Sequence, residues 1–331
     1  MCRRKHMITI NDIAKMANVS KSTVSRYLNG KNIKPLAKER IEQAIKETGY
    51  KPNSFAQSLK AHQTNLIGIV VSKLDSYAVT QSLQGIDNEL KKSGYQTLIT
   101  NTYQDINNEI QGLYTFEKQK VAGIIIFGTI ITSSHIKAFS QISCPIVMIS
   151  QKSEHVHCVY HDDYGAGTQI GNYIAALNHK KVLYFGANED DVAIGIKRKK
   201  GVTDALTKAG VCFECITTTL MIEDACATAL KVLPTTKATY IVCATDQIAV
   251  GVMKAIRILN KDIPKDFSIS GFGGDEIGDA IHPTLTTVKY HYIEAGRQTA
   301  KQLKKILKNR EVDKMLCLEN DLLIRNSTNS L

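Results

Sequence analysis

Apolar residues in the first fifty positions recur at helical spacing. Ile10, Ile13, Ala14 and Ala17 fall on one face of a first helix, which Thr9 or Asn11 can cap. Asn18 tolerates a left-handed backbone and ends that helix, and Val19 fills the corner before a second helix opened by Ser20. Val24, Leu28 and the Thr23 methyl make the inner face of the second helix, leaving Lys21, Ser22, Ser25 and Arg26 outward. A third helix spans Lys34 to Thr48, with Ile41, Ala44 and Ile45 inward and Gly49 as its stop. Pro52 then blocks continuation, and Asn53 caps a short new helix carrying Phe55, Ala56 and Leu59 on one side.

Beyond this point the pattern changes. Leu66 to Val71 is a continuous apolar run rich in β-branched residues, which suits a strand buried on both faces of a parallel sheet. Strands near 96–100, 123–127 and 145–149 alternate with helices near 81–93, 107–118 and 133–140. After a strand near Val159 a second series follows: helices near 166–177, 195–209, 222–232 and 246–259, and strands near 182–185, 215–218, 240–243 and 267–271. A strand at 286–290 and a helix at 293–309 close the chain. Two alternating series predict two doubly wound α/β lobes behind a small all-α head. With 331 residues the chain is long enough for both.

Charge is distributed unevenly. Residues 1 to 62 hold 13 lysines and arginines against 4 acids, so +9 of the net +11 lies in the first fifth of the chain. A polyanion partner is implied for that segment alone. The outward set on the second helix fits this partner. Arg26 and Lys21 can bridge guanine acceptors, and the hydroxyls can reach phosphates or base edges. No apolar run approaches the ~20 residues of a membrane span. MCRRKH leads straight into the first helix without an apolar core and does not resemble a signal peptide, so a cytoplasmic protein is expected.

The eight cysteines show no disulfide framework. Cys212 and Cys215 form a C-x-x-C without a partner pair, and strand alternation would split His155, His157, Cys158 and His161 between two faces. No metal or cofactor is expected. Asp162, Asp163, Asp190 and Asp191 raise acid–base chemistry as an alternative, yet no phosphate loop, G-x-S-x-G or nucleophile motif accompanies them.

The run from Ile10 through Lys60 resembles the DNA-binding headpiece of the LacI/GalR family of bacterial repressors, and later motifs extend the likeness over nearly the whole chain. The resemblance implies a head at 1–51 and a hinge helix at 52–63. It also implies an effector domain resembling periplasmic sugar-binding proteins, with one lobe from 64–159 and 291–317 and the other from 160–290 and 318–331. In the family the hinge helix pairs with its dimer mate and wedges a leucine into the minor groove; Leu59 stands at that position, flanked by Asn53, Ala56, Gln57 and Lys60. The candidate contacts to double-stranded operator DNA are these five with Thr9, Lys21, Ser22, Thr23, Ser25, Arg26 and Asn29. The tail after residue 310 is too short and irregular for the leucine heptad of the family's tetramers, so a homodimer is expected.

Ligands of open α/β sheets gather at the carboxyl ends of strands, which selects Lys73, Asp75, Ser76 and Tyr77 after the first strand and Asp162 and Asp163 after the strand near Val159. Family motifs add Arg198, three residues before Gly201 in GIKRKKG, Asp246 in CATDQIAVG, and Tyr292 as the aromatic beneath the effector. One departure stands out: where family members often read G-F-D-D, this chain reads GFGGDE, with Gly273 and Gly274 replacing two acids. Loss of that charge beside Lys73 and Arg198 points toward an anionic effector such as a sugar phosphate. The strings VSKLDS, HDDY, GIKRKKG and EAGRQ most resemble the sucrose and trehalose repressors. The expected function is a repressor of a disaccharide-utilisation operon released by a sugar or sugar phosphate. A corepressor-dependent regulator, or a sugar-binding protein that does not bind DNA, are the alternatives.

Overall fold

The structure, a computed structural model, describes residues 8–28, 31–50 and 64–331. It divides into two compact units, Met1–Thr64 and Asn65–Leu331.

In the first unit, helices Ile10–Met16, Lys21–Leu28 and Pro35–Thr48 enclose Ile13, Val24 and Ile41, which have no exposed surface. The ends of the first and third helices have local causes. Thr9 and Asp12 form a reciprocal capping box, in which the Thr9 N–H donates to Asp12 Oδ2 at 2.8 Å. Asn18 takes a left-handed φ of 52° and Gly49 one of 63°. Pro35 opens the third helix, where its missing N–H costs nothing. The Tyr27 hydroxyl donates to Glu42 Oε1 at 3.0 Å and ties the second helix to the third. Asn29 and the expected hinge helix, with Asn53, Ala56, Gln57, Leu59 and Lys60, lie outside the described residues.

The second unit contains two six-stranded sheets. The first is built from β1 (Leu66–Val71), β2 (Gln96–Asn101), β3 (Gly123–Phe127), β4 (Ile146–Ile149), β5 (His157–His161) and β11 (Met315–Leu318), in the order β11-β5-β4-β3-β1-β2, parallel throughout. The second holds β6 (Lys181–Gly186), β7 (Cys212–Thr217), β8 (Tyr240–Cys243), β9 (Ser268–Gly273), β10 (Thr286–Tyr290) and β12 (Asn320–Leu323), in the order β12-β10-β9-β8-β6-β7. Only the β10–β12 pair in that sheet is antiparallel. Central strands such as β3, β4, β8 and β9 are buried along their whole length, whereas the edge strand β2 is mostly half-buried and the edge strand β7 largely exposed.

The chain passes between sheets after β5, after β10 and between β11 and β12. Tyr160 and His161 pair with Cys317 and Leu318, so the first and last passages fall at 162 and 319, a residue or two later than the lobe limits expected from sequence. The strands β11 and β12 were not expected at all. Several helices begin earlier than their apolar patterns suggest: Tyr77–Lys91, Asp163–Ala176, and a wide π-type turn Val192–Arg198 leading into Lys199–Lys208.

Helix Tyr292–Ile306 returns to the first lobe and lies on helix Tyr77–Lys91. Gly85 and Gly296 make this possible, since a Cβ on Gly85 would run into the Ile293 carbonyl and one on Gly296 into the Ser82 carbonyl. Alongside, Lys304 Nζ reaches Glu89 Oε1 at 2.5 Å and Lys92 Nζ reaches Oε2 at 3.0 Å. These two hydrogen-bonded cations hold the Glu89 carboxyl down at about 2.

Because backbone stands where a side chain would go, Gly296→Val should destabilise the large unit by about 3 kcal/mol, at the upper end for overpacking. Urea unfolding would check this as a lower midpoint with the slope unchanged.

Candidate functional site

The cleft between the two lobes is lined at the carboxyl ends of both sheets. Ser72, Lys73, Asp75, Ser76 and Tyr77 follow β1, Gly128 and Thr129 follow β3, Ser150 and Gln151 follow β4, and His161 ends β5. The facing lobe supplies Asp163, Asp191, Arg198, Gln247, Phe272, Asp275 and Tyr290, with Tyr292 just past the second passage. Seven of the eight ligand candidates read from sequence therefore share one cavity: Lys73, Asp75, Ser76, Tyr77, Asp163, Arg198 and Tyr292.

Adjacent aspartates divide their work at the start of helix Asp163–Ala176. Asp162 is the cap, its Oδ1 accepting from the Gly165 N–H at 2.9 Å. Asp163, one residue on, faces the cleft, where its Oδ1 accepts from Arg198 Nε at 2.8 Å and from the Tyr290 hydroxyl at 3.0 Å. Arg198 comes within reach because its helix lies hard against Asp163–Ala176. A Cβ on Gly167 would strike the Arg198 carbonyl, and one on Gly201 the Tyr164 carbonyl. That close approach gives the Arg-x-x-Gly spacing a physical reason. Arg198 Nη1 donates to the Ala244 carbonyl at 3.0 Å, and the guanidinium lies 4.6 Å from the Tyr290 ring centroid. Asp191 caps the wide turn that delivers Arg198, accepting from the N–H groups of Ala193 and Ile194.

Asp246 is the eighth candidate, and it does not line the cavity. It is wholly buried one layer beneath, accepting from Thr287 Oγ1 at 2.6 Å and from the Asp275 N–H at 2.8 Å. Gly273 and Gly274, with φ of 147° and 72°, turn the backbone above its carboxylate, and no L side chain adopts those angles readily. The turn delivers Asp275 into the cleft. The acid missing at 273 and 274 is thus restored one residue later, and the cleft keeps a carboxylate at that corner. Burial, with Asp246 beside it, raises the Asp275 carboxyl to about 7.

An aromatic cluster surrounds the passages between lobes. Tyr290 stacks on Tyr292 at 5.6 Å, His161 meets their edges at 5.1 and 5.8 Å, and Tyr77 meets Tyr292 at 6.2 Å. Burial lowers His161 to about 4, so its ring is neutral near pH 7. Sequence reasoning considered His161 only as one of four His and Cys residues split between two strand faces, and passed over Gln151, Gln247 and Asp275. The strand-end rule that selected Asp163 also covers Gln151, His161 and Asp275. Among the described residues no group of three or more His, Cys, Asp or Glu side chains is arranged to hold a metal ion.

In the small unit, Lys21, Ser22 and Arg26 are exposed, while Thr23 and Ser25 are half-buried. The Ser20 hydroxyl pairs with those of Ser22 and Thr23 at 2.8 Å each, and the Thr9 hydroxyl is engaged by Asp12 at 2.7 Å. Thr9 is thus a cap by geometry.

Two family descriptions match the chain in succession. Residues 9–53 match "Bacterial regulatory proteins, lacI family", and residues 64–325 match "Periplasmic binding proteins and sugar binding domain of LacI family". The chain belongs to the LacI family. The sucrose operon repressor of Staphylococcus xylosus is 33% identical over 95% of this chain and 98% of its own length. The HTH-type transcriptional regulator TreR of Escherichia coli is 27% identical over 90% of this chain and 93% of its own. The Lac repressor dimer bound to operator and the anti-inducer ONPF superposes with a TM-score of 0.90 at 22% identity, covering 98% of this chain and 100% of that one. These LacI-family relatives are regulators of transcription, which sets aside the catalytic reading of Asp162, Asp163, Asp190 and Asp191. No helix among the described residues is long and apolar enough to cross a membrane.

The raised Asp275 carboxyl has a consequence for stability. Between about 4 and about 7 the folded chain holds a proton that the unfolded chain has released, so stability present at low pH is lost as pH rises to about 7. Asp275→Asn should flatten that decline, giving a higher melting temperature than wild type at pH 8. Differential scanning fluorimetry across pH 5 to 8 would check it.

Proposed function

We propose that this LacI-family chain is a dimeric, sequence-specific repressor of a disaccharide-utilisation operon. Residues 1–51 form the reading head, 52–63 the hinge, and the two lobes hold the effector. Kinship with a sucrose operon repressor along 95% of the chain carries this reading. Lys21 and Arg26 read base edges, with Ser22, Thr23, Ser25, Asn29 and Thr9 nearby. Asn53, Ala56, Gln57 and Lys60 set Leu59 against the minor groove. The net +9 confined to the first 62 residues supports a DNA partner for this end.

In the cleft, Arg198 and Asp163 anchor the effector's hydroxyls, Tyr292 and Tyr77 supply flat apolar surface, and Lys73, Asp75 and Ser76 close the mouth. Asp246 contributes by holding Asp275. The effector is a sugar of the sucrose or trehalose type, free or phosphorylated, and its preference for one arrangement of the lobes releases the operator.

Fluorescence anisotropy of the full-length protein on its own upstream DNA tests this. Specific binding should weaken steeply with salt and should be released by one of these sugars; absence of specific binding overturns the reading, and tightening by ligand makes the protein a corepressor system. Lys21→Ala with Arg26→Ala should reduce operator affinity to the nonspecific level while calorimetry shows effector binding intact. Arg198→Ala should give a repressor that holds operator but no longer releases it.

A further inference from the structure

The cleft contains two buried polar atoms with no hydrogen-bond partner, Nε2 of Gln151 and Nε2 of His161. Both residues line the cavity, and they are only 4% and 8% exposed. A buried polar group left unpaired costs about 1–3 kcal/mol, so each side chain gains most if a turn of it brings that atom against an occupant's polar atom. Both groups are uncharged: Gln151 carries an amide, and burial keeps the His161 ring neutral near pH 7. Amide and imidazole together can give and take hydrogen bonds from hydroxyls.

Charge in the rest of the cavity favours the same kind of ligand. Lys73 and Arg198 face four carboxyls, those of Asp75, Asp163, Asp191 and Asp275. Arg198 is already matched, through Nε to Asp163 and Nη1 to the Ala244 carbonyl. A phosphate would bring about −1.5 to −2 charges at pH 7 into this acid-rich wall. Hydroxyls instead find an acceptor in Asp75, and in Asp275, raised to about 7, a carboxyl that can accept or donate near neutral pH.

We propose that Gln151 and His161 are specificity residues, and that with the acid-rich wall opposite they select an uncharged, hydroxyl-rich disaccharide against its phosphorylated form. This rests on the effector reading above and reverses the preference for an anion that the glycines at 273 and 274 suggest from sequence.

Isothermal titration calorimetry of the full-length protein at pH 7.5 with sucrose, trehalose and their 6-phosphates tests it. One neutral disaccharide should bind at least about tenfold more tightly than its phosphate. Gln151→Leu and His161→Phe should each weaken the neutral ligand about tenfold, equivalent to about 1.4 kcal/mol, and narrow its margin over the phosphate. Unfolding midpoints within a few degrees of wild type would separate lost recognition from lost structure, and the two variants serve as checks on each other. Tighter binding of a phosphate, binding of neither form, or an unchanged margin in both variants overturns the proposal. Calorimetry needs no DNA, so loss of specific operator binding would instead strike the regulator reading and leave this result standing.

Discussion

The buried pair of Asp163 and Arg198 is the constraint on which the cleft depends. An ion pair taken out of water recovers its desolvation cost only when its remaining donors and acceptors are satisfied. Here Asp163 Oδ1 accepts from both Arg198 and the Tyr290 hydroxyl, while Arg198 also donates to the Ala244 carbonyl. Four parts of the second lobe are thereby fixed to one point: the start of helix Asp163–Ala176, the wide turn ending at Arg198, the residue after β8, and the last residue of β10. Tyr292, two residues beyond Tyr290, already belongs to the helix that crosses to the first lobe. The pair thus sets the geometry of the second lobe where the chain leaves it.

Much of this architecture could be read from the sequence because fully buried parallel strands announce themselves. Runs such as LIGIVV and GIIIF have no polar side to confuse the pattern, and Asn18 and Gly49 mark helix ends through the backbone angles they tolerate. Helix starts were less legible, since caps such as Asp191 lie ahead of the apolar stripe and their role depends on which N–H groups they meet. β11 and β12, at four residues each and only half-buried, carry too little pattern to stand out from the loops around them.

The same contrast runs through the cleft. Lys73, Asp75, Ser76, Tyr77 and Asp163 were selected because chemistry-bearing residues directly follow strands, and Arg198 and Tyr292 because motifs carry them. Asp275 was lost because acids were counted at fixed positions, while two left-handed glycines shift the chain by one residue as it turns over Asp246. Gln151 and His161 were lost for a different reason. An amide or a neutral ring at a strand end has no signature in one dimension, and what distinguishes these two is the lack of a partner in three.

One of the two side chains with most to gain from an occupant, His161, also lies beside a passage between lobes. His161 ends β5 just before the first passage, and Tyr290 and Tyr292 flank the second. Their rings touch edge to face or stacked within 5.1 to 5.8 Å, and Tyr77 extends the cluster onto the start of helix Tyr77–Lys91. The Asn320 amide, at the third passage, donates to the Asp162 carbonyl at 3.0 Å, so the passages are tied laterally as well. Across the cleft, the Val192 N–H donates to the Thr129 carbonyl at 3.3 Å. A rotation of one lobe against the other therefore cannot occur without repacking these rings, and packed aromatic contacts move between discrete arrangements rather than deforming continuously. A ligand that pairs with His161 on one wall and Asp163 or Asp275 on the other holds one of those arrangements, and it shifts the equilibrium only by the difference in its affinity for the two. In the proposed reading, recognition and lobe movement thus draw on the same few residues, and a ligand too small to bridge both walls would occupy the cleft without changing it.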